Sequence, residues 1–195
     1  EETLKEEKSS GETVSEENLD SEGNQTESQA EEGELSGSQT NELKEANEPC
    51  GANASWKLEN GVLTISGTGD LYDYGYENGI KKDTPWAKQI DKIESVVIEK
   101  GITSIGERTF EHCVNLKSVK ISDDVKRIKK SAFYGCRNLT QIAIPKQVKT
   151  IEAFAFGMCG FTKLVIPSHI ETIGETAFYG CESLKEIKIP KSVQE

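Results

Sequence analysis

Four sets of residues in the second half of this chain recur at a nearly constant interval of 23 residues. The first set is Ile98, Ile121, Ile144, Ile166 and Ile189, with intervals of 23, 23, 22 and 23 residues. Three further sets keep the same step: Ile105, Ile128, Ile151 and Ile173; Phe110, Phe133, Phe156 and Phe178; and Cys113, Cys136, Cys159 and Cys181. Because so short a unit cannot bury its apolar face alone, such repeats stack into a solenoid. We therefore expect residues 93–195 to form four coils and the start of a fifth.

Within one coil, the pattern predicts a short strand, then a turn, then a helical segment. In the second coil, Val119 and Ile121 alternate with polar residues, as in a strand with one buried face. Proline follows this strand in later coils and ends it, since proline has no N–H to donate: Pro145, Pro167 and Pro190. Ala132, Phe133 and Cys136 follow at helical spacing. The expected fold class is α/β, with one short parallel strand and one short helical or 3₁₀ turn per coil.

The third coil is one residue shorter than the others. The residue is lost between Cys159 and Leu164, where Gly160 and Phe161 replace the usual step to a leucine. We expect Phe161 to occupy the place of that leucine, so that the strand register is kept.

Residues 50–92 predict a hairpin that closes the N-terminal end of the solenoid. Asn60 and Gly61 form a strong two-residue turn signal between two apolar runs, at 56–58 and 62–65. A solenoid needs such a cap because an open core and an unpaired sheet edge invite aggregation. The aromatic residues expected to seal the end are Trp56, Trp86, Tyr72, Tyr74 and Tyr76.

The repeat resembles the BspA-like leucine-rich repeats of bacterial secreted and surface proteins. The likeness is carried by the Ile-Pro-x-x-Val/Ile-x-x-Ile-x-x-x-Ala-Phe pattern, read most clearly at 144–156 and 166–178 and continued by Cys181 and Leu184. Thr109 in place of Ala and Ser122 in place of Pro are mild departures. The resemblance covers about residues 50–195, including the cap, and implies a leucine-rich-repeat solenoid that serves in adhesion or interaction.

The acidity of the chain lies in its N-terminal quarter. Residues 1–49 hold 16 Asp and Glu against 3 Lys, a net charge of −13, whereas residues 50–195 hold 18 acidic and 20 basic residues, a net of +2. The segment has no Phe, Trp or Tyr and its aliphatic residues show no period. It cannot bury enough apolar surface to offset the entropy of ordering it. We expect a disordered acidic tether; an acidic interaction tail is the alternative.

Candidate catalytic and metal sites are weak. His112 precedes Cys113, but Cys113 belongs to a core column and consecutive side chains point apart. Asp70, Asp73 and Glu77 have the chemistry of calcium ligands without a known loop spacing. We expect no enzyme, no metal and no cofactor.

Five cysteines cannot all pair within the chain. Buried cysteine packs as a small hydrophobe. We therefore expect the column to be free thiols that fill the core, with Cys50 reacting first because it adjoins the tether.

Basic residues crowd the second coil: Lys117, Lys120, Lys126, Arg127, Lys129, Lys130 and Arg137. A nucleic-acid site would require a basic stripe with interleaved aromatics. Here Asp123 and Asp124 interrupt the cluster, so a solvated surface without a nucleic-acid partner is the interpretation.

Three functions remain open for the chain. The first is an extracellular or cell-surface adhesion and interaction module that binds a protein or other macromolecule. The second is a structural spacer or scaffold that carries another domain. The third is a carbohydrate-binding or enzymatic unit, which aromatic residues on the exposed strand face would favour. The outward strand residues, which we take as the candidate partner site, contain none: Ser118, Lys120, Gln141, Ala143, Lys163, Val165, Glu186 and Lys188.

The ends of the chain bear on its location. The sequence starts with Glu1 rather than Met, and the last residues begin another repeat. We expect that a leader has been removed or that the chain is a piece of a longer protein, which continues beyond residue 195. No apolar run is long enough for direct membrane insertion.

Overall fold

The computed structural model describes residues 48–194, without the side chains of residues 80 and 81. Within this range the chain forms twelve strands and one 3₁₀ helix. The strands are β1 (Gly51–Glu59), β2 (Val62–Leu71), β3 (Gly75–Glu77), β4 (Ile80–Lys82), β5 (Ser95–Ile98), β6 (Ile102–Ile105), β7 (Ser118–Ile121), β8 (Arg127–Ile128), β9 (Thr150–Ile151), β10 (Lys163–Val165), β11 (Thr172–Ile173) and β12 (Glu186–Lys188); the 3₁₀ helix is Ala87–Lys92. The tether predicted over residues 1–49 lies, apart from Glu48 and Pro49, outside the described residues, so its disorder stays a prediction.

The N-terminal hairpin is joined directly to the repeats. Strands β1 and β2 pair antiparallel around Asn60 and Gly61, whose φ angles of 48° and 78° are those of a primed hairpin turn. Strand β2 then pairs in parallel with β5 through residues 62–65 and with β6 through residues 69 and 70. The second strand of the hairpin is thus the first rung of the solenoid.

The first, second and fourth coils contribute to two parallel ladders, so the prediction of one strand per coil was wrong. The first ladder runs β2–β5–β7 and resumes as β10–β12; the second runs β2–β6–β8–β9–β11. The second ladder carries Ile105, Ile128, Ile151 and Ile173, in pieces of two to four residues. Pieces this short hold too few residues to show an alternating pattern, which is why the sequence did not reveal them.

The first ladder is interrupted in the third coil. Residues 141–144 follow the repeat spacing of β7 and β10 but form no strand, and no backbone hydrogen bond within residues 48–194 joins them to either neighbour. The interruption falls in the coil that lost one residue. Phe161 is fully buried and packs edge-on against Phe156, so it fills the place of the leucine as predicted.

The third side of each coil consists of turns, and the predicted helical or 3₁₀ segment is not confirmed. The N–H groups of Ser131, Phe133 and Gly135 donate to carbonyl groups of the next coil, at 3.1, 2.9 and 2.8 Å. Because these three N–H groups already bond to the next coil, they cannot make the hydrogen bonds within a helix. Two backbone positions per turn also have positive φ, which a right-handed helix excludes: Arg108, Ser131, Phe154 and Thr176, and His112, Gly135, Met158 and Gly180. No α-helix occurs among the described residues.

A continuous stack of aromatic rings forms the centre of the core. Trp86, Phe110, Phe133, Phe156 and Phe178 lie parallel, with successive ring centroids 5.8, 5.2, 5.6 and 6.0 Å apart. The tryptophan of the cap thus occupies the phenylalanine position of the first rung.

Three of the five aromatic residues expected to seal the cap are buried. Trp56 packs edge-on against Trp86, and Tyr74 is also buried. Tyr72 is half-buried, whereas Tyr76 is 75% exposed and seals nothing.

Candidate interaction surface

The eight outward residues predicted from the repeat are all exposed along the first ladder. Ser118 and Lys120 lie on β7, and β10 pairs with β12 so that Lys163 lies opposite Glu186 and Val165 opposite Lys188. Gln141 and Ala143 lie in the interrupted segment between these strands. We call this surface the strand face. Inward neighbours such as Leu164 are buried, because successive residues of a strand point to opposite sides.

The strand face extends further towards the N-terminus than the sequence analysis recognised. Parallel pairing of β5 with β7 places Ser95 beside Ser118, with their hydroxyl oxygens 2.9 Å apart, and Val97 beside Lys120. The antiparallel partner β1 adds Lys57 on the same side. The sequence pattern could have predicted this extension, because residues 62–65 and 95–98 alternate between inward apolar and outward residues as the later coils do.

Ion pairing reduces the positive charge of the strand face. The Lys163 ammonium lies 3.0 Å from a carboxylate oxygen of Glu186, and the Lys188 ammonium lies 3.9 Å from the other oxygen. Lys120 has no ion pair among residues 48–194. Because Lys163 and Lys188 share one carboxylate, one positive charge remains at β10 and β12 in addition to that of Lys120.

Two of the basic residues of the second coil are held by acidic residues of the cap. Arg127 donates to Asp70 at 2.6 Å and Lys129 to Asp73 at 2.9 Å. Burial raises the pKa of Asp73, but the hydrogen bond from the Glu107 backbone and the Lys129 ammonium outweigh it and hold the pKa below its ordinary value. Both aspartates are thus occupied by the protein itself, and no group of residues suited to a metal ion occurs in the described part of the chain.

The cysteine column is built into the hydrogen bonding between coils. The thiols of Cys136, Cys159 and Cys181 each donate to a backbone carbonyl of the preceding coil, at 3.2, 3.3 and 3.2 Å, the acceptors being Phe110, Phe133 and Phe156. Burial raises the pKa of the Cys113 thiol to about 12 and that of Cys136 well above its ordinary value. A neutral, enclosed thiol is a poor nucleophile.

The structure contradicts the expectation that Cys50 reacts first. Cys50 is fully buried, and burial raises the pKa of its thiol to about 11. Cys181 is only half-buried. In native protein treated with a thiol reagent, we expect Cys181 to be labelled first and the other four to resist until urea is added. Peptide mass mapping over time checks the order, and early labelling of Cys136 would contradict the buried column.

The turns carry a second row of aromatic rings, which the sequence analysis missed. His112, Tyr134, Phe154 and Tyr179 come from four successive coils and contact one another edge-on, with centroids 5.6, 6.2 and 6.1 Å apart. We call this surface the turn-face row. It did not appear as a column because its members occupy three different positions of the repeat.

The chain matches a known protein family. A profile of the BspA type leucine rich repeat region matches residues 87–195 in six copies. The chain belongs to this family. The match covers more than half of the chain and includes every coil, so the resemblance drawn from the repeat pattern is confirmed. A comparison with curated proteins finds no match.

Solved structures support the same fold. The chain is 28% identical to a leucine-rich repeat protein from Eubacterium ventriosum, with a TM-score of 0.62 over 75% of this chain and 42% of that one. It is 27% identical to a leucine-rich repeat protein from Bacteroides ovatus, with a TM-score of 0.53 over 73% of this chain and 41% of that one. The chain therefore spans about two fifths of the length of these relatives. Among the described residues there is no helix with the length and apolarity needed to cross a bilayer.

Proposed function

We propose that this chain is a non-enzymatic interaction module of a bacterial secreted or surface protein. Its partner is a protein, bound through the strand face. The observation that carries the proposal is the division of the first ladder into a buried apolar side and an exposed side of mixed polar residues. Membership of a leucine-rich repeat family supports it, because repeat solenoids present extended binding surfaces.

The size of the strand face suits a protein partner. Six strand rows and the segment 141–144 lie side by side, and strands are spaced about 4.8 Å apart, so the face is about 30 Å across. A circular patch of about 800 Å², the area that a standard protein interface takes from each partner, is about 32 Å across, so the width of the face matches one dimension of such an interface. A concavity of about 610 Å³ adjoins the face at Val97 and Lys120, but it is half open to solvent, whereas ligand pockets bury most of a small molecule.

The chemistry of the described residues supports a non-enzymatic role. The thiols are enclosed and their pKa values are raised, so no activated nucleophile arises from them. His112 is exposed and its ring contacts Tyr134, while the adjacent Cys113 is fully buried. The two side chains do not form a nucleophile and base pair.

A structural spacer is the second candidate function. The second ladder and the aromatic stack run through the coils without a break, which suits a rigid connector. A spacer predicts no partner affinity at the strand face, so the binding experiment separates the two functions.

Reversing the three strand-face lysines should weaken binding of a partner. The partner is first captured from surface-protein extracts and purified. A face with net positive charge favours a partner surface that is acidic. The triple variant Lys120→Glu, Lys163→Glu and Lys188→Glu should then raise the Kd of the partner by about tenfold or more, because the new carboxylates and the acidic partner repel each other. Biolayer interferometry at low and moderate salt measures the change.

The matched control carries the same change of charge away from the face. Lys88, Lys126 and Lys130 are exposed, have no ion pair among the described residues and lie outside the first ladder, on the 3₁₀ helix, just before β8 and in the turn after β8. Their reversal to Glu should leave the Kd within about twofold of the unmodified chain, since distant charges are screened by salt. Equal losses in both triple variants would indicate a general charge effect and refute the assignment of the face.

A further inference from the structure

We propose that the turn-face row is a binding strip for a neutral glycan chain, separate from the strand face. A pyranose ring presents apolar C–H groups on its faces and hydroxyls at its rim. It is therefore recognised by exposed aromatic rings with hydrogen-bonding groups beside them. The turn face provides both.

The row is laid out along the stacking direction of the solenoid. His112, Tyr134, Phe154 and Tyr179 belong to coils one to four in order, and each ring contacts the next. His112 and Tyr179 are exposed, Tyr179 by 56%, and the two central rings are half-buried. A ligand lying along this row would meet an aromatic ring at every coil, which suits a polymer with repeating rings.

The rings are held in place by close packing on glycine. A side-chain carbon at Gly157 would lie 2.7 Å from the ring of Tyr134, and one at Gly135 would lie 2.5 Å from the ring of His112. Only glycine allows the rings to lie so close to the backbone of the next coil. Rings fixed in this way lose little conformational entropy when a ligand binds.

Phe154 is placed in the row at a cost to the backbone. Its φ of 56° is in the left-handed region, where a bulky residue is unusual. The equivalent residues of neighbouring coils, Ser131 and Thr176, are small and polar. The core does not require the Phe154 ring, because Phe156 fills the aromatic stack of this coil. The left-handed φ itself belongs to the turn, since Arg108, Ser131 and Thr176 share it. What distinguishes the third coil is an aromatic ring at this position that the core does not use.

Polar groups adjoin the C-terminal end of the row. A cavity of about 150 Å³ reaches Gly180, the residue after Tyr179, and is lined by Arg137, Glu182 and Ser183 together with Met158, Cys159 and Gly160. Guanidinium, carboxylate and hydroxyl groups supply both donors and acceptors for sugar hydroxyls. The volume suits part of one sugar residue, such as a rim substituent, while the ring lies on the aromatic row.

The width and charge of the turn face favour a glycan over other ligands. The row is a single ring wide, which is narrow for a protein interface. The exposed charges in the same turns are mixed, with Lys130 and Arg137 against Glu175 and Glu182. A phosphate backbone requires net positive charge along its path, so nucleic acid is disfavoured.

Affinity electrophoresis of the full chain tests the proposal. Native gels contain dextran, hydroxyethyl cellulose, xylan or mannan, each a neutral polysaccharide of pyranose rings. We expect at least one polymer to retard the chain. Tyr179→Ala should weaken this retardation by about tenfold in affinity, because the stacking contact is lost. Tyr179→Phe, which keeps the ring, should retain most of it.

The controls separate the row from the rest of the surface. Tyr76 is an exposed tyrosine outside the row, so Tyr76→Ala should bind like the unmodified chain. Urea midpoints verify that all variants are folded. The proposal is overturned if no polymer retards the chain. It is equally overturned if Tyr179→Ala and Tyr76→Ala behave alike, or if the triple lysine variant of the strand face abolishes retardation.

Discussion

Replacing Phe133 or Phe156 by alanine should lower the free energy of unfolding by about 3–5 kcal/mol in each case, as truncation of buried phenylalanines does. Both rings are fully buried and lie between two parallel neighbours at 5.2 to 6.0 Å. Their removal leaves a cavity and interrupts the aromatic stack. Urea unfolding followed by far-UV circular dichroism measures the loss.

The position of the ring in the solenoid sets the size of the effect. Phe178 contacts Phe156 on one side and is only partly buried. Phe178→Ala should therefore cost clearly less than the two central substitutions. Tyr76→Ala, at an exposed side chain, serves as the control and should shift the urea midpoint little. Equal losses at all three phenylalanines would contradict the gradient.

Raising the pH from 9 to 10.5 in the presence of a reductant should lower the free energy of unfolding by about 5 kcal/mol through three thiols, those of Cys113, Cys136 and Cys159. Burial raises the pKa of each in the folded chain, to about 12 for Cys113. A raised pKa contributes stability that is complete below the unfolded pKa, near 9, and is lost as pH rises towards the folded pKa. In this window unfolded thiols ionise and folded thiols do not.

A single substitution isolates the thiol contribution from lysine and tyrosine ionisation. Cys136→Ala removes a fully buried thiol and its hydrogen bond to Phe110, so this variant should be less stable at pH 8. Its stability should then decline less steeply between pH 9 and 10.5, by about 1.1 kcal/mol for each pH unit. Urea midpoints at half-unit steps of pH give both slopes, and parallel curves would show that Cys136 is not enclosed.

The inward columns could be predicted well from the sequence because an apolar residue recurs at the same position of each coil. Ile98, Phe133 and Cys136 recur at the coil length and are buried, whereas Ile189, the last member of its column, is 58% exposed because no described coil covers it. The hairpin turn at Asn60 and Gly61 was equally predictable, since two successive residues with positive φ favour asparagine and glycine. The outward positions of the strand face follow from the same alternation, although their role in binding stays a proposal.

The partners of single residues were less predictable. Cys50 was expected to be accessible because it adjoins the acidic segment, yet it is fully buried and its N–H donates to the carbonyl of Ala54. Arg127 and Lys129 of the second coil likewise pair with Asp70 and Asp73, which precede them by 57 and 56 residues. Partners so far apart in the sequence produce no recurring spacing from which their pairing could be predicted.

By itself, the sequence determined that this chain stacks 23-residue coils, which residues face inward and that a hairpin closes the N-terminal end. Alternating polarity is present within each coil and the period in the spacing of successive coils, so both can be read along the sequence. Only the tertiary structure decided that the coils form two ladders, that the third side of each coil is turns rather than helix, and that four rings align along the turns. In each case the backbone N–H groups or the side chains meet partners in the next coil, and that meeting exists only once the coils have stacked.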